Sequence, residues 1–182
     1  YQAEVNAALQ MRETLALSST EDQAGMFTLR LRNTAKTSTW AQSDVNFALN
    51  DNLLDLELLG NDYTKNISRL QFCSVVVRLA EEMTGKTITP AAANTFTDTN
   101  SPYVLKAYAA GITSGTSATT FSPDATLNRQ QMATFLYRTL RYIEKNSDYK
   151  YTSYTSKLSN YTDNGQLESW AVESMAFMNA LD

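Results

Sequence analysis

The sequence contains no histidine and a single cysteine, and these two scarcities close off a wide range of chemistry. Without imidazole there is no His-based triad, no HExxH metal site and no histidine acid–base work. Cys73 alone forms no internal disulfide, and beside Phe72 on the inner face of an expected helix it reads as a small buried apolar residue rather than a nucleophile. Long apolar runs are also missing. Runs such as Val75-Val76-Val77 fall far short of the roughly 20 residues that cross a bilayer, so no membrane insertion is expected and a soluble chain is. Cations are outnumbered, with 15 lysines and arginines against 19 acids and a net charge of -4, which argues against general affinity for nucleic acid or an anionic membrane. Any anion site must therefore be local. No basic, apolar and small-residue leader follows Tyr1, as expected of a mature, recombinant or fragmentary product.

What is present is a core-forming composition, 43% hydrophobic and 19% charged over 182 residues, and a repeat. Ile67-Ser68-Arg69-Leu70-Gln71-Phe72 returns about sixty residues later as Leu127-Asn128-Arg129-Gln130-Gln131-Met132. Each copy predicts a helix start. Ser68 and Asn128 are N-cap types, with Gln71 and Gln131 at the third helical position to complete capping boxes. Ile67 with Phe72, and Leu127 with Met132, occupy the two ends of a hydrophobic staple. The arginine is the anomaly, because a cation in the first turn opposes the positive end of the helix dipole. Arg69 and Arg129 beside unpaired backbone amides would instead make a place for an anion. The bland alternative is a solvated arginine next to a helix start.

Ahead of the repeats, residues 1 to about 17 suggest a helix through Val5, Leu9 and Leu15, Ser18 to Asp22 a turn or a second helix start, and Met26 to Arg32 a strand or extended arm. Regularity begins at Thr39, which with Gln42 suggests another capping box. Ala41, Val45, Ala48, Leu49 and Leu53 then share one helical face from about Trp40 to Asp51. The helix after Ser68 carries Phe72, Val75, Val76 and Leu79 inward and stops at Gly85. Ser101 and Pro102 suit the start of a short helix that Gly111 ends. A loop with Gly115, Thr116 and Ser117 follows, and Phe121-Ser122-Pro123 leads into the helix after Asn128, whose inner residues are Phe135, Leu136, Leu140 and Ile143. Arg138 stands nine positions after Arg129, as Arg78 does after Arg69. Lys145 to Asn160, with Tyr149, Tyr151 and Tyr154, reads as a solvated linker. Tyr161-Thr162-Asp163 echoes Phe96-Thr97-Asp98, and a helix around Trp170, with Met175 and Met178, echoes the one at Trp40.

A unit of one short and one longer helix, repeating near 60 residues, is too small to close a core alone and must pack on its neighbours, so an all-α bundle is expected. The residues resemble the S-layer homology family, whose repeats carry an aromatic-x-Asp start, a Gly-Ile loop, a Phe-x-Pro turn and an Ile-Thr-Arg-like helix start. All four parts occur in Phe96-Thr97-Asp98, Gly111-Ile112, Phe121-Ser122-Pro123 and Leu127-Asn128-Arg129. The resemblance spans roughly residues 38 to 182. It divides the chain into a separate segment 1–37, a first repeat at 38–87 that keeps Trp40-Ala41 and Ile67-Ser68-Arg69, a second at 88–145, and a linker with the first half of a third at 146–182.

The resemblance implies a helical repeat bundle of S-layer homology type, with short and long helices in a pseudo-threefold arrangement. It also implies a non-catalytic module, outside the cell and associated with its wall or S-layer, that binds secondary cell-wall polysaccharide, often pyruvylated, on Gram-positive-type envelopes. Arg129, followed by Arg69, is implied as the ligand-facing cation. Asp98 and Asp163 would accept sugar hydroxyls, Gly115, Thr116 and Ser117 would offer backbone groups, and Trp40 or Trp170 an apolar platform. Each has a plainer reading: the aspartates as turn stabilisers, the tryptophans as packing residues. No cofactor or metal is expected, since Asp98 and Asn100 lack the glycine and closing glutamate of a calcium loop. Besides the glycan, another copy of the chain at the cell surface is an admissible partner. Two other classes stay open: a helical scaffold for a partner protein, marked by an exposed apolar surface, and an accessory part of a glycan-processing surface enzyme. The enzyme would need paired carboxylates on one cleft, whereas Glu81-Glu82 and Asp98 lie in different settings.

Overall fold

A computed structural model of the chain describes residues 15–21, 27–33, 36–51, 53, 54, 58, 61–151 and 158–181. The chain divides into two compact units, residues 1–65 and 66–182, a boundary that falls just before the first Arg-led helix.

In the first unit, strands β1 (Leu15–Glu21) and β2 (Phe27–Asn33) pair antiparallel, with Leu15 opposite Asn33 and Glu21 opposite Phe27. The alternation at 26–32 thus becomes a strand. The turn or helix start expected at 18–22 is instead strand through Glu21, and Leu15 to Leu17, expected as the end of a helix, are strand as well. The remainder of that expected helix lies outside the described residues. Leu15 and Leu17, two apart, fit the period of a strand, and a pairing partner across the ladder favours it over the helix read through Val5, Leu9 and Leu15.

A 3-10 turn at Thr39–Ala41 leads into helix α1 (Gln42–Asn50). The expected face is recovered, since Ala41, Val45, Ala48, Leu49 and Leu53 are its half-buried residues. The Thr39–Gln42 capping box does not form, and no side chain caps either start. The tight first turn makes Gln42 the first α-helical residue, so it cannot stand third.

The second unit contains helices α2 (Arg69–Thr84), α3 (Pro102–Ala109), α4 (Arg129–Asn146) and α5 (Val172–Asn179), the last preceded by a 3-10 turn at Ser169–Ala171. Its regular structure is helical, as expected of the repeats. Both Arg-led starts carry complete capping boxes. Ser68 Oγ accepts from the Gln71 amide at 3.2 Å while Gln71 Oε1 accepts from the Ser68 amide at 3.0 Å; Asn128 and Gln131 make the same exchange at 2.9 and 3.1 Å. Gly85 follows α2 at φ 64°, the left-handed stop expected there. Ser101 occupies the cap position of α3 without capping it, and its buried hydroxyl has no partner among the described residues; Pro102 presets the first turn instead.

One core joins α2, α3 and α4. Phe72, Val76 and Val77 from α2, Val104 and Leu105 from α3, and Phe135 and Ile143 from α4 close around the loop residues Ile88, Phe96, Ile112 and Phe121. Burial of each such side chain stabilises by about 1.5–3 kcal/mol. Cys73 is fully buried among them, and loss of solvent pushes its thiol up to about 12, so it is inert packing.

α5 packs on α4; Ala171, Ser174 and Phe177, spaced three apart, are its buried residues, while Met175 and Met178 are half-buried. Phe177 meets Tyr137 edge-on at 5.1 Å, and the Tyr137 hydroxyl donates to Glu173 at 2.6 Å. Tyr151, expected in a solvated linker, packs against the core, and its amide donates to Glu144 Oε1 at 2.8 Å. Tyr149 is exposed, and Tyr154 lies outside the described residues.

Candidate functional site

The two Arg-led helix starts abut. Ser68 and Thr126 form an antiparallel bridge, the Arg69 amide donates to the Ala125 carbonyl at 2.9 Å, and the Leu70 amide to that of Pro123 at 3.0 Å. With Gln71 capped by Ser68, the first donors of α2 are occupied by the chain itself. The expected pairing of arginine with unpaired amides therefore does not hold at α2. At α4, the amides of Arg129 and Gln130 have no acceptor among the described residues, while Gln131 is capped.

Arg69 is a buried cation, 4% exposed. Its guanidinium lies 4.7 Å from the Phe121 ring centroid and 5.6 Å from that of Phe135, and its Nε donates to the Phe121 carbonyl at 2.9 Å. Two aromatic faces and a carbonyl thus replace part of the lost hydration. Burial lowers its pKa from the ordinary arginine value, opposed by Cys73 and Asp98. A solvated side chain describes Arg129, which is exposed, but not Arg69.

Asp98 holds the partner loop in place. Its carboxylate accepts from the Phe121 amide at 2.9 Å and the Ser122 amide at 2.7 Å. These bonds, the Phe121 one foremost, hold its pKa below the usual carboxylate value of 3.8. A carboxyl with a depressed folded-state pKa adds stability above its unfolded pKa and loses it as pH falls through the folded value. Asp98→Asn should therefore melt below the unsubstituted protein at pH 6, with the gap closing as pH falls below the ordinary carboxylate value of 3.8 and through the lower folded-state value. A gap of constant size across that range would show that the carboxylate charge is not what anchors the loop.

Gly115 turns the same loop at φ 86°, with the Phe96 ring and the carbonyls of Ser117 and Thr120 crowding the place a Cβ would take. Thr116 Oγ1 lies 2.9 Å from Ser122 Oγ, and Ser117 Oγ 2.6 Å from Thr120 Oγ1. The loop is bonded within itself and so is preset rather than awaiting a ligand.

These parts surround an open groove of about 400 Å³. Arg69 supplies one side, the 113–116 loop another, α4 contributes Gln131, Thr134, Phe135 and Arg138, and Trp170 closes the set. Among the described residues, the lining holds two guanidiniums and no carboxylate. Arg138 is half-buried, with Nη1 3.4 Å from the Ile112 carbonyl, and Trp170 is 48% exposed.

Of the residues singled out in the sequence, the structure brings Arg69, Gly115, Thr116 and Trp170 to this groove. Ser117 lies in the loop but not in the lining, and Asp98 braces the loop from outside it. Arg129 and Asp163 are exposed and do not line the groove. Asp163 precedes a 3-10 turn at Asn164–Gln166 that its side chain does not cap. Trp40, 82% exposed, belongs to the first unit. Arg138, Gln131, Thr134 and Thr113 were not anticipated as site residues. For Arg138 a signal existed, the nine-residue interval from the leading arginine; for the threonines there was none, because such residues are abundant and unremarkable in sequence.

Residues 96–133 match the family model of the S-layer homology domain. The matched segment runs from Phe96 through α3 and the Gly115 loop into the first turns of α4, and so contains one wall of the groove. No curated protein matches the chain. Domains of this family anchor proteins to cell-wall polysaccharide, which associates the chain with the cell surface or cell wall. Among the described residues, no helix is long and apolar enough to cross a membrane, and no group of acidic or cysteine side chains is placed to hold a metal ion.

Proposed function

We propose that the chain is a non-catalytic anchoring module whose groove takes an acidic secondary cell-wall polysaccharide, with a pyruvate ketal as the acidic group. The observation that carries this reading is the groove lining: two guanidiniums, an exposed indole and several hydroxyl or amide side chains, with no carboxylate among the described residues to repel an acidic sugar. Arg138 bonds the ketal carboxylate, Arg69 adds fixed positive potential from below, and Trp170 provides an apolar face for a pyranose ring. Because the loop and Arg69 are already held by internal bonds, little ordering cost falls on binding. The exposed start of α4, with Arg129 and its open amides, offers a shallower second anion contact. A pseudo-threefold cluster of complete repeats, with several grooves acting together, belongs to the same reading.

The test is binding to purified secondary cell-wall polysaccharide before and after removal of its acidic ketals. Ketal removal should weaken binding at least about tenfold, and Arg138→Ala should do the same for the intact polymer, since a charge-assisted hydrogen bond contributes about 1.5–3 kcal/mol. Arg129→Ala should cost less. A larger loss from Arg129→Ala than from Arg138→Ala would move the site to the α4 start, and indifference to the ketal would sink the acidic-sugar reading.

A further inference from the structure

A second open cavity of about 410 Å³ lies along α4 beside the first, and Arg138 lines both. Its walls are the end of α3 at residues 109–111 and the later turns of α4, through Tyr137, Arg141, Tyr142 and Lys145. Arg138, Arg141 and Lys145 recur at intervals of three and four residues, so they share one stripe of the helix; seven residues carry that stripe about 10 Å. The cations along it differ in commitment. Arg141 is ion-paired with Glu144 and lies over the Tyr137 and Phe177 rings at 5.1 and 4.7 Å. Arg138 and Lys145 have no carboxylate at ion-pair distance among the described residues. Among the described residues, no acidic side chain lines this cavity either. Its other wall is open, since residues 109–111 are two alanines and a glycine, and a Cβ at Gly111 would meet nothing within 4 Å.

From this continuity we infer that the two cavities form one extended site, with Lys145 as its far anion contact. An acidic polysaccharide held at the first groove continues past Arg138 and places a second acidic group near Lys145. The inference rests on the acidic-glycan reading of the first groove and adds to it a minimum ligand length and a direction along α4.

Size-fractionated fragments of the purified polysaccharide, from one repeating unit to several, test it with the whole chain and a Lys145→Gln variant. Lys145 is exposed in the last turn of α4, so the variant should melt as the parent does. The parent should bind fragments of several units more tightly than one unit. Lys145→Gln should bind one unit unchanged and the longer fragments about threefold to tenfold more weakly, with a shallower salt dependence. Equal affinity of parent and variant for the longer fragments would overturn the extended site while leaving the first groove standing. So would no gain with length in the parent. Failure of the parent to bind any acidic fragment would remove the first-groove reading and this one with it.

Discussion

Gly115→Ala should destabilise the helical unit by about 3 kcal/mol, lowering its melting temperature by roughly 10 °C. Two costs combine. The residue sits at φ 86°, a left-handed conformation that costs an L side chain about 1–2 kcal/mol. A Cβ there would also come within 2.7 Å of the Phe96 ring, 2.7 Å of the Thr120 carbonyl and 2.9 Å of the Ser117 carbonyl. Phe96 is itself buried, 5.7 Å from the Phe121 ring and 5.3 Å from that of Tyr108, so it cannot simply swing aside. Gly111→Ala separates the two costs, because that glycine has φ 72° but open space around its missing side chain. Gly111→Ala should therefore cost only about 1 kcal/mol, the backbone share alone. Chemical denaturation of the two variants measures the difference, and equal losses would show that crowding by the Phe96 loop is not what selects glycine at 115.

The second large effect is expected at Arg69. Arg69→Met keeps a long side chain between Phe121 and Phe135 but removes the charge over both rings and leaves the Phe121 carbonyl without its 2.9 Å donor. An unpaired buried acceptor together with the lost cation–ring attraction predicts a loss of about 2–3 kcal/mol. Arg69→Ala adds an unfilled volume and should cost about 4 kcal/mol. Lysine is not an adequate replacement, since it has neither the planar fork nor a donor at the Nε position. Arg138→Ala, half-buried at the groove, should change stability by less than about 1 kcal/mol while removing most glycan affinity. Thermal melts and glycan binding on both variants distinguish the roles. If Arg69→Met melted like the parent and lost only binding, Arg69 would be a ligand contact rather than the floor beneath one.

That division between two arginines shows how far the sequence alone reaches. The odd position of Arg69 and Arg129 at helix starts was visible in it, as were the capping boxes that begin both helices and the apolar faces that bury Phe72, Val76, Phe135 and Ile143. Those features depend on local spacing, and local spacing is written in the chain. The roles of the two arginines are not local. Arg69 is buried because Phe121 arrives from 52 positions further on and is held there by Asp98, while the equivalent start at Arg129 stays open.

Strand β1, whose first residues were expected to end a helix, differs for a related reason. Leu15 and Leu17, two apart, fit a strand, and β2 lying across the ladder fixes that choice over the helix read through Val5, Leu9 and Leu15. The sequence by itself determined where the helices of the repeats begin and which residues they bury, since backbone capping and hydrophobic periodicity act over a few residues. Tertiary packing alone decided which arginine became buried floor, which stayed exposed, and that Arg138 and Trp170 would share a groove. Long-range contacts select among locally equivalent positions by the cost of burying a charge.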